Sequence, residues 1–134
     1  MIGLDSTAII DLFRKDKSIG DLISSLDDQV AVTQINYLEV MLGLDFDNLK
    51  HKIEENYYDK LFNDFVNFDL DILTSKKAAE IANSLRKKGE TIDPFDCAIA
   101  GILIQNGVKK IITRNIKHFS KIKGLDVISY WIVL

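Results

Sequence analysis

Residues 91–113 read Thr-Ile-Asp-Pro-Phe-Asp-Cys-Ala-Ile-Ala-Gly-Ile-Leu-Ile-Gln-Asn-Gly-Val-Lys-Lys-Ile-Ile-Thr, and this stretch decides the fold class. Asp93 has the side chain of a helix N-cap, Pro94 suits the first helical position, and Asp96 puts an acid in the positive first turn. An apolar helix to about Asn106 follows. Gly107 stops it, and Lys110 to Thr113 reads as a buried strand. A helix feeding straight into a buried strand is one step of a parallel sheet.

The same alternation extends outward from this segment. Residues 2 to 5, Ile-Gly-Leu-Asp, form a short strand that turns directly into a helix over Ser6 to Arg14, where Ala8, Ile9, Ile10, Leu12 and Phe13 recur at helical spacing. Ser18 can cap a second helix to about Leu26; Val30 to Thr33 is a strand, and Thr33 caps the helix that carries Glu39. Residues 48 to 66 make the clearest helix. Leu49, Ile53, Tyr57, Leu61 and Phe65 share one row, with Tyr58, Phe62 and Val66 beside it, an aromatic stripe that reads as core or else as a groove for a partner. Asp69 to Leu73 is a strand candidate, Thr74 the cap of a helix to about Lys88, and Gly89 its stop. On the far side, Asn115 to Phe119 is a short helical turn and Asp126 to Tyr130 a last strand. Neither a repeat nor a linker interrupts the 134 residues, so one α/β domain over 1–134 is expected, with a mainly parallel sheet covered on both faces.

Hydrophobic residues at 47% and charged residues at 28% match a globular protein rather than a disordered one. The one cysteine, Cys97, lies in an apolar run and reads as a buried thiol in a reducing compartment. With no stretch near the ~18 apolar residues of a membrane span and no secretion signal, the cytoplasm is the expected location. The net charge is −3, which excludes an overall basic coat for nucleic acid. Gly107 to Gly124 nevertheless carries Lys109, Lys110, Arg114, Lys117, Lys121 and Lys123 and no acid, so the remainder of the chain holds −9. Such a run is either a solvated rim or the footprint of a polyanion.

Three acids stand at strand-to-helix junctions. Asp5 ends the first strand, Glu39 follows the second, and Asp96 opens the helix that feeds the fourth; ligands of open parallel sheets bind beyond such strand ends. Glu39 lies in Tyr37-Leu38-Glu39-Val40-Met41-Leu42, and no basic residue between Thr33 and Asn48 can pair with it along its helix. Individually the acids have bland explanations, as a cap, the edge of an apolar face and a helix-opening charge. Together they suggest a cation site, because converging carboxylates repel unless a hard divalent ion offsets the repulsion. All-carboxylate ligation suits Mg2+, and His51, His118 and Cys97 lack zinc spacing.

On these motifs the whole chain resembles the PIN-domain ribonucleases, and among them the VapC toxins of toxin–antitoxin pairs. Leu-Asp-Ser-Thr-Ala-Ile-Ile-Asp is similar to the family's opening, with Asp5 as first metal ligand and Ser6 as the neighbouring hydroxyl, expected to contact substrate. Val-Thr-Gln-Ile-Asn-Tyr-Leu-Glu resembles the second motif, with Glu39 its acid; Ile-Asp-Pro-Phe-Asp-Cys-Ala the third, with Asp96; and Ile-Ile-Thr-Arg-Asn-Ile-Lys-His-Phe the last. The resemblance implies a three-layer α/β/α sandwich and an endoribonuclease that hydrolyses RNA with Mg2+, or alternatively Mn2+, held by Asp5, Glu39 and Asp96. It also implies contact of Arg114 and Lys117 with flanking phosphates, a cognate antitoxin partner and a homodimer. Many members carry a fourth acid where this chain has Asn115, which brings no charge but is counted with the catalytic residues, because its carbonyl can accept from a metal-bound water or coordinate weakly. Thr7 stands where asparagine or serine is usual, a supporting position. Asp93 is expected to cap its helix, and His118 to sit at the rim or act as a general acid. Two other readings compete with hydrolysis: an inactive PIN-like scaffold for RNA or protein, and a signalling module phosphorylated on an aspartate. The latter needs an acidic pair after the first strand, whereas Asp5 is followed by Ser6.

Overall fold

A computed structural model describes residues 1–130. In chain order the elements are β1 (Ile2–Leu4), α1 (Ser6–Phe13), α2 (Lys17–Ser25), β2 (Val30–Thr33), α3 (Gln34–Leu42), α4 (Leu49–Asp64), β3 (Val66–Phe68), α5 (Ile72–Lys87), α6 (Pro94–Gln105), β4 (Lys110–Ile112), α7 (Ile116–Phe119) and β5 (Asp126–Ile128). The strands lie in the order β3-β2-β1-β4-β5, and every pairing is parallel.

Alternation along the strands sorts their side chains into two cores. Ile2, Leu4, Val30, Val32 and Ile112 face α1, α2 and α4, where they meet Ile9, Ile19, Tyr58 and Phe62. Ala31 and Ile111 face the opposite way, onto α5, α6 and α7, against Leu85, Ile99, Leu103 and Phe119. Helices therefore cover both faces, the three-layer sandwich expected of a parallel sheet. Two glycines set how closely the second layer sits. A Cβ on Gly3 would stand 2.5 Å from Leu103 Cδ1, and one on Gly101 would stand 2.7 Å from the Ala78 backbone nitrogen. No larger residue fits where β1 meets α6 or where α6 crosses α5 unless its surroundings move.

Local boundaries differ from expectation in three places. β3 is Val66–Phe68, cut from the end of the long expected helix, and not Asp69 to Leu73. Ile72 and Leu73 imitate a strand in sequence but open α5 as solvent-facing residues, 88% and 65% exposed. Its cap is Asp71, which accepts from the Thr74 backbone while Thr74 Oγ1 accepts from the Asp71 backbone, so Thr74 is the inner member of a capping box rather than the cap. Likewise Asp16, not Ser18, caps α2. On α4 the buried side chains are Tyr58, Leu61 and Phe62, with Tyr58 against Phe13 and Phe62 edge-on to Tyr37. Leu49 and Ile53, from the same expected stripe, remain exposed.

Candidate active site

The C-terminal ends of β1, β2 and β4 define one edge of the sheet, and α6 runs back so that its N-terminus returns there. Asp5 follows β1 and caps α1, accepting the Ala8 amide at Oδ1, 3.1 Å. Thr7 Oγ1 donates to the same oxygen at 2.7 Å, and Thr113, just beyond β4, donates to Oδ2 at 2.7 Å. Asp5 is 3% exposed, so these donors replace the water that its carboxylate would otherwise hold. Capping and a place in the site are thus two duties of one side chain.

Glu39 reaches the same edge from α3. Ser6 Oγ donates to Glu39 Oε1 at 2.7 Å and accepts from Asn36 Nδ2 at 3.1 Å. Asn36 is itself held by a reciprocal box with Thr33, which anchors the start of α3 to the end of β2. Ser6 therefore orients Glu39 through a buried relay. It follows Asp5 directly in the chain, and its hydroxyl is spent on Glu39.

Asp96 lies in the first turn of α6, while Asp93 caps that helix as anticipated, accepting the Phe95 amide at 2.7 Å. Asp96 Oδ2 is 2.7 Å from His118 Nδ1 and 3.4 Å from Asn115 Nδ2, which in turn is 2.9 Å from His118 Nδ1. One ring nitrogen cannot both accept from Asn115 and donate to Asp96. The shorter, charge-assisted contact assigns the Nδ1 proton to the Asp96 bond. Asn115 and His118 thus both bring a nitrogen to Asp96 Oδ2, where the resemblance led to the expectation of a fourth acid.

Electrostatics record the convergence. Burial pushes the Asp5 carboxyl above its usual range despite its three donors, and the negative charge of Asp96 adds to the rise. Glu39 is raised first by burial, against the lowering bond from Ser6, and then by the charges of Asp96, Asp93 and Asp5. Asp96 is likewise raised by burial, with His118 acting against it and Asp93 with it. Four carboxylates thus share one field at a single sheet edge.

Among the described residues, no three carboxylate, imidazole or thiol groups are drawn together to the spacing of a closed metal shell. The donor set is nonetheless that of a hard divalent ion that keeps several of its waters, since Mg2+ is commonly bound through one or two carboxylates plus water and phosphate. The residues fit such an ion, bound partly through water, and do not fit one gripped bare on every side.

Arg114 is anchored more firmly than expected. Its amide donates to Thr7 Oγ1 at 3.1 Å, and its Nε lies 3.1 Å from Oδ2 of Asp11, a buried residue of α1 that also accepts from the Tyr130 hydroxyl at 2.5 Å. Lys117 is exposed on α7 and makes no side-chain hydrogen bond or ion pair among the described residues. The reading of the sequence passed over Thr113, Asn36 and Asp11. Asn36 had a visible signal, three residues after a capping threonine; the other two had none, because their partners are distant in sequence.

The model of the PIN domain family matches residues 2–125. The chain belongs to the PIN domain family. A search of curated protein sequences finds no significant match. Among solved structures, this PIN domain is similar to a chain of VapBC2 from Rickettsia felis bound to a DNA fragment from their promoter, with TM-score 0.84 and 21% identity over 98% of this chain and 100% of that one. It is similar also to DNA-bound VapBC from Salmonella typhimurium, with TM-score 0.83 and 20% identity over 97% and 98% of the two chains. VapBC-1 from nontypeable Haemophilus influenzae matches with TM-score 0.81 and 25% identity over 97% and 98%. The α/β/α fold read from the sequence is thereby the fold of the family.

Proposed function

We propose that this PIN domain is a metal-dependent endoribonuclease and the toxin of a VapBC-type pair. The observation that carries the reading is the meeting of Asp5, Glu39 and Asp96 at one sheet edge, each oriented by a hydroxyl or imidazole donor and each raised above its usual pKa. These three residues would hold Mg2+, or Mn2+, directly or through its waters. A divalent ion there would supply an activated water and stabilise charge developing on a phosphate. Thr7 and Thr113 keep Asp5 in place, Ser6 aims Glu39, and His118 with Asn115 orients Asp96. Arg114 and Lys117 lie on the segment next to that cluster, where they would meet flanking phosphates.

Cleavage of RNA in Mg2+, with EDTA as control, tests this reading. Asp5→Asn, Glu39→Gln and Asp96→Asn should each lower the rate at least ~100-fold, the upper end of what is lost when a group supporting a metal site is removed, while the proteins stay folded. Near-normal rates in two of the three would remove the site. An inactive scaffold is the second reading, favoured by the uncharged Asn115. It predicts bound and uncut RNA. A phosphate-accepting aspartate is disfavoured because Asp5 is followed by Ser6 and not by the second acid that such a module needs.

For partners, the similar solved chains come from toxin–antitoxin complexes, which supports a cognate antitoxin here. Exposed Leu42, Phe46, Leu49 and Ile53 offer apolar surface for association, including a homodimer. Light scattering of the isolated chain reads the oligomeric state. Among the described residues no helix is long and apolar enough to cross a membrane, and the cytoplasm is the proposed location.

A further inference from the structure

Arg114 holds α1 at two points one helical turn apart. Its amide donates to Thr7 Oγ1 at 3.1 Å, and its Nε lies 3.1 Å from Asp11 Oδ2. Thr7 and Asp11 are four residues apart on α1, so both lie on one face of that helix. Asp11 is 4% exposed, and a carboxylate so deeply buried depends on its partners. Besides Arg114 it has the hydroxyl of the equally buried Tyr130, which donates to the same Oδ2 at 2.5 Å.

This network lies outside the acid cluster but leads into it. Thr7 Oγ1 gives its own proton to Asp5 Oδ1 at 2.7 Å. On either side of Arg114, Thr113 Oγ1 donates to Asp5 Oδ2 at 2.7 Å and Asn115 Nδ2 reaches Asp96 Oδ2 at 3.4 Å. Residues 113–115 therefore touch two of the three acids. The sheet holds only the first of them: β4 ends at Ile112, and the Thr113 amide still donates to the Ile128 carbonyl at 3.2 Å. Past that bond, side chains tie the segment to α1, and the pair of Arg114 with Asp11 is the charged one among them. Tyr130 lies two residues beyond β5, so the edge of the sheet is coupled to this segment. The electrostatics agree. Burial and then the Asp11 carboxylate push the Tyr130 hydroxyl well above its ordinary pKa; Thr7 acts against the rise, and the charge of Asp5 adds to it.

We propose that Asp11 and Tyr130 are positioning residues of the acid site: through Arg114 they keep Thr7 and Thr113 on the two oxygens of Asp5, and so set the affinity of the site for a divalent ion. The inference rests on the metal-dependent reading above. Groups that orient a metal ligand typically contribute 10- to 100-fold in metal affinity or activity, and Tyr130 acts at one remove, so the lower end, ~10-fold, is expected for it. A network that only locks the fold would cost stability and leave the affinity of the folded protein as it was.

The test is calorimetric titration of Mn2+ into the full chain without RNA, at a temperature where circular dichroism shows each protein folded. Tyr130→Phe keeps the ring and drops the hydroxyl; it should weaken Mn2+ binding ~10-fold, and Asp11→Asn should weaken it at least as much. Both act through Arg114, so the double variant should lose no more than the worse single one. Tyr58→Phe is the control. Tyr58 is also buried, and its hydroxyl donates to the Glu54 carboxylate at 2.7 Å, so the chemical change is the same but touches none of the three acids. It should keep the wild-type affinity. Unchanged Mn2+ affinity in Tyr130→Phe, or an equal loss in Tyr58→Phe, overturns the proposal. Asp11→Asn decides independently, since unchanged affinity there overturns it whatever Tyr130→Phe does. RNA cleavage then separates the two claims. Wild type that binds Mn2+ but leaves RNA uncut sinks the nuclease and leaves the positioning role, whereas cutting by wild type with unchanged affinity in Tyr130→Phe sinks the positioning role alone. Wild type that takes up no Mn2+ sinks both.

Discussion

Replacing Asp96 by Asn should make the metal-free protein more stable and largely remove its response to Mg2+. The carboxyl is 8% exposed and its pKa is raised, chiefly by burial and further by Asp93, even with His118 opposing. A folded-state pKa above the unfolded value means that folding disfavours the carboxylate at neutral pH. Asparagine keeps an acceptor for His118 Nδ1–H and removes that penalty, and it relieves the charge felt by Asp5 and Glu39. Against this stands the lost interaction with the positive end of α6, ~0.3 to 1 kcal/mol. The expected net is a gain on the order of 1 kcal/mol, a common scale for one substitution, or about 3.5 °C for a chain of this length. The difference should be largest near pH 7.5. It should shrink as pH falls through the raised pKa of Asp96, because wild type takes up the proton and sheds the same penalty, and it should nearly vanish below the unfolded value. At a hundred times its dissociation constant an ion bound only to the folded state contributes ~2.7 kcal/mol, so wild type should gain about 9 °C with Mg2+ and the variant no more than ~3 °C. Thermal melts in EDTA and in saturating Mg2+, at fixed ionic strength and at pH 7.5 and 4.5, measure all of these. A variant that melts lower than wild type in EDTA and shows the full Mg2+ shift would refute the placement of Asp96 among converging carboxylates.

Ser6→Ala removes the 2.7 Å bond to Glu39 and strands Asn36 Nδ2, so it should cost ~1 to 3 kcal/mol in urea melts and slow cleavage, with Ser6→Thr recovering part of the rate if its hydroxyl reaches Glu39. A fast Ser6→Ala enzyme would deny that Glu39 needs orienting. Arg114→Ala leaves the buried Asp11 its hydrogen bond from Tyr130 but removes the guanidinium beside it, and should lower stability by ~1 to 3 kcal/mol in addition to any loss of RNA affinity. An unchanged urea midpoint would show that the Asp11 contact contributes nothing to the fold.

The architecture was legible because its signals are local. Asp93, Pro94 and Gly107 punctuate α6 within a few residues of where they act, and Thr33 caps α3 with a partner three residues away. Apolar runs of strand length between such caps suffice to announce a parallel sheet. Local reading failed where two local signals competed, as at Thr74 and Asp71, and where apolar residues of strand type face solvent, as at Ile72 and Leu73. The three acids were also legible, since Asp5 directly follows β1, Glu39 lies on the helix after β2 and Asp96 opens the helix before β4. What orients them was not. Thr113 and Asp5 are 108 residues apart, and Ser6 and Glu39 are 33 apart. Neither pair leaves a trace in composition or periodicity, because a hydroxyl that serves a buried carboxylate looks in sequence like any other hydroxyl. The sheet order β3-β2-β1-β4-β5 brings β1, β2 and β4 side by side, and only that order decides that their ends share one field. The same holds for the lysines between Gly107 and Gly124. Sequence shows one acid-free run, whereas β4 carries the chain across the sheet, so that Lys109 and Lys110 stand where it starts and Arg114 stands just beyond its end. Charge count is a property of the chain, while the field it makes depends on distance, and distance is set by the tertiary fold.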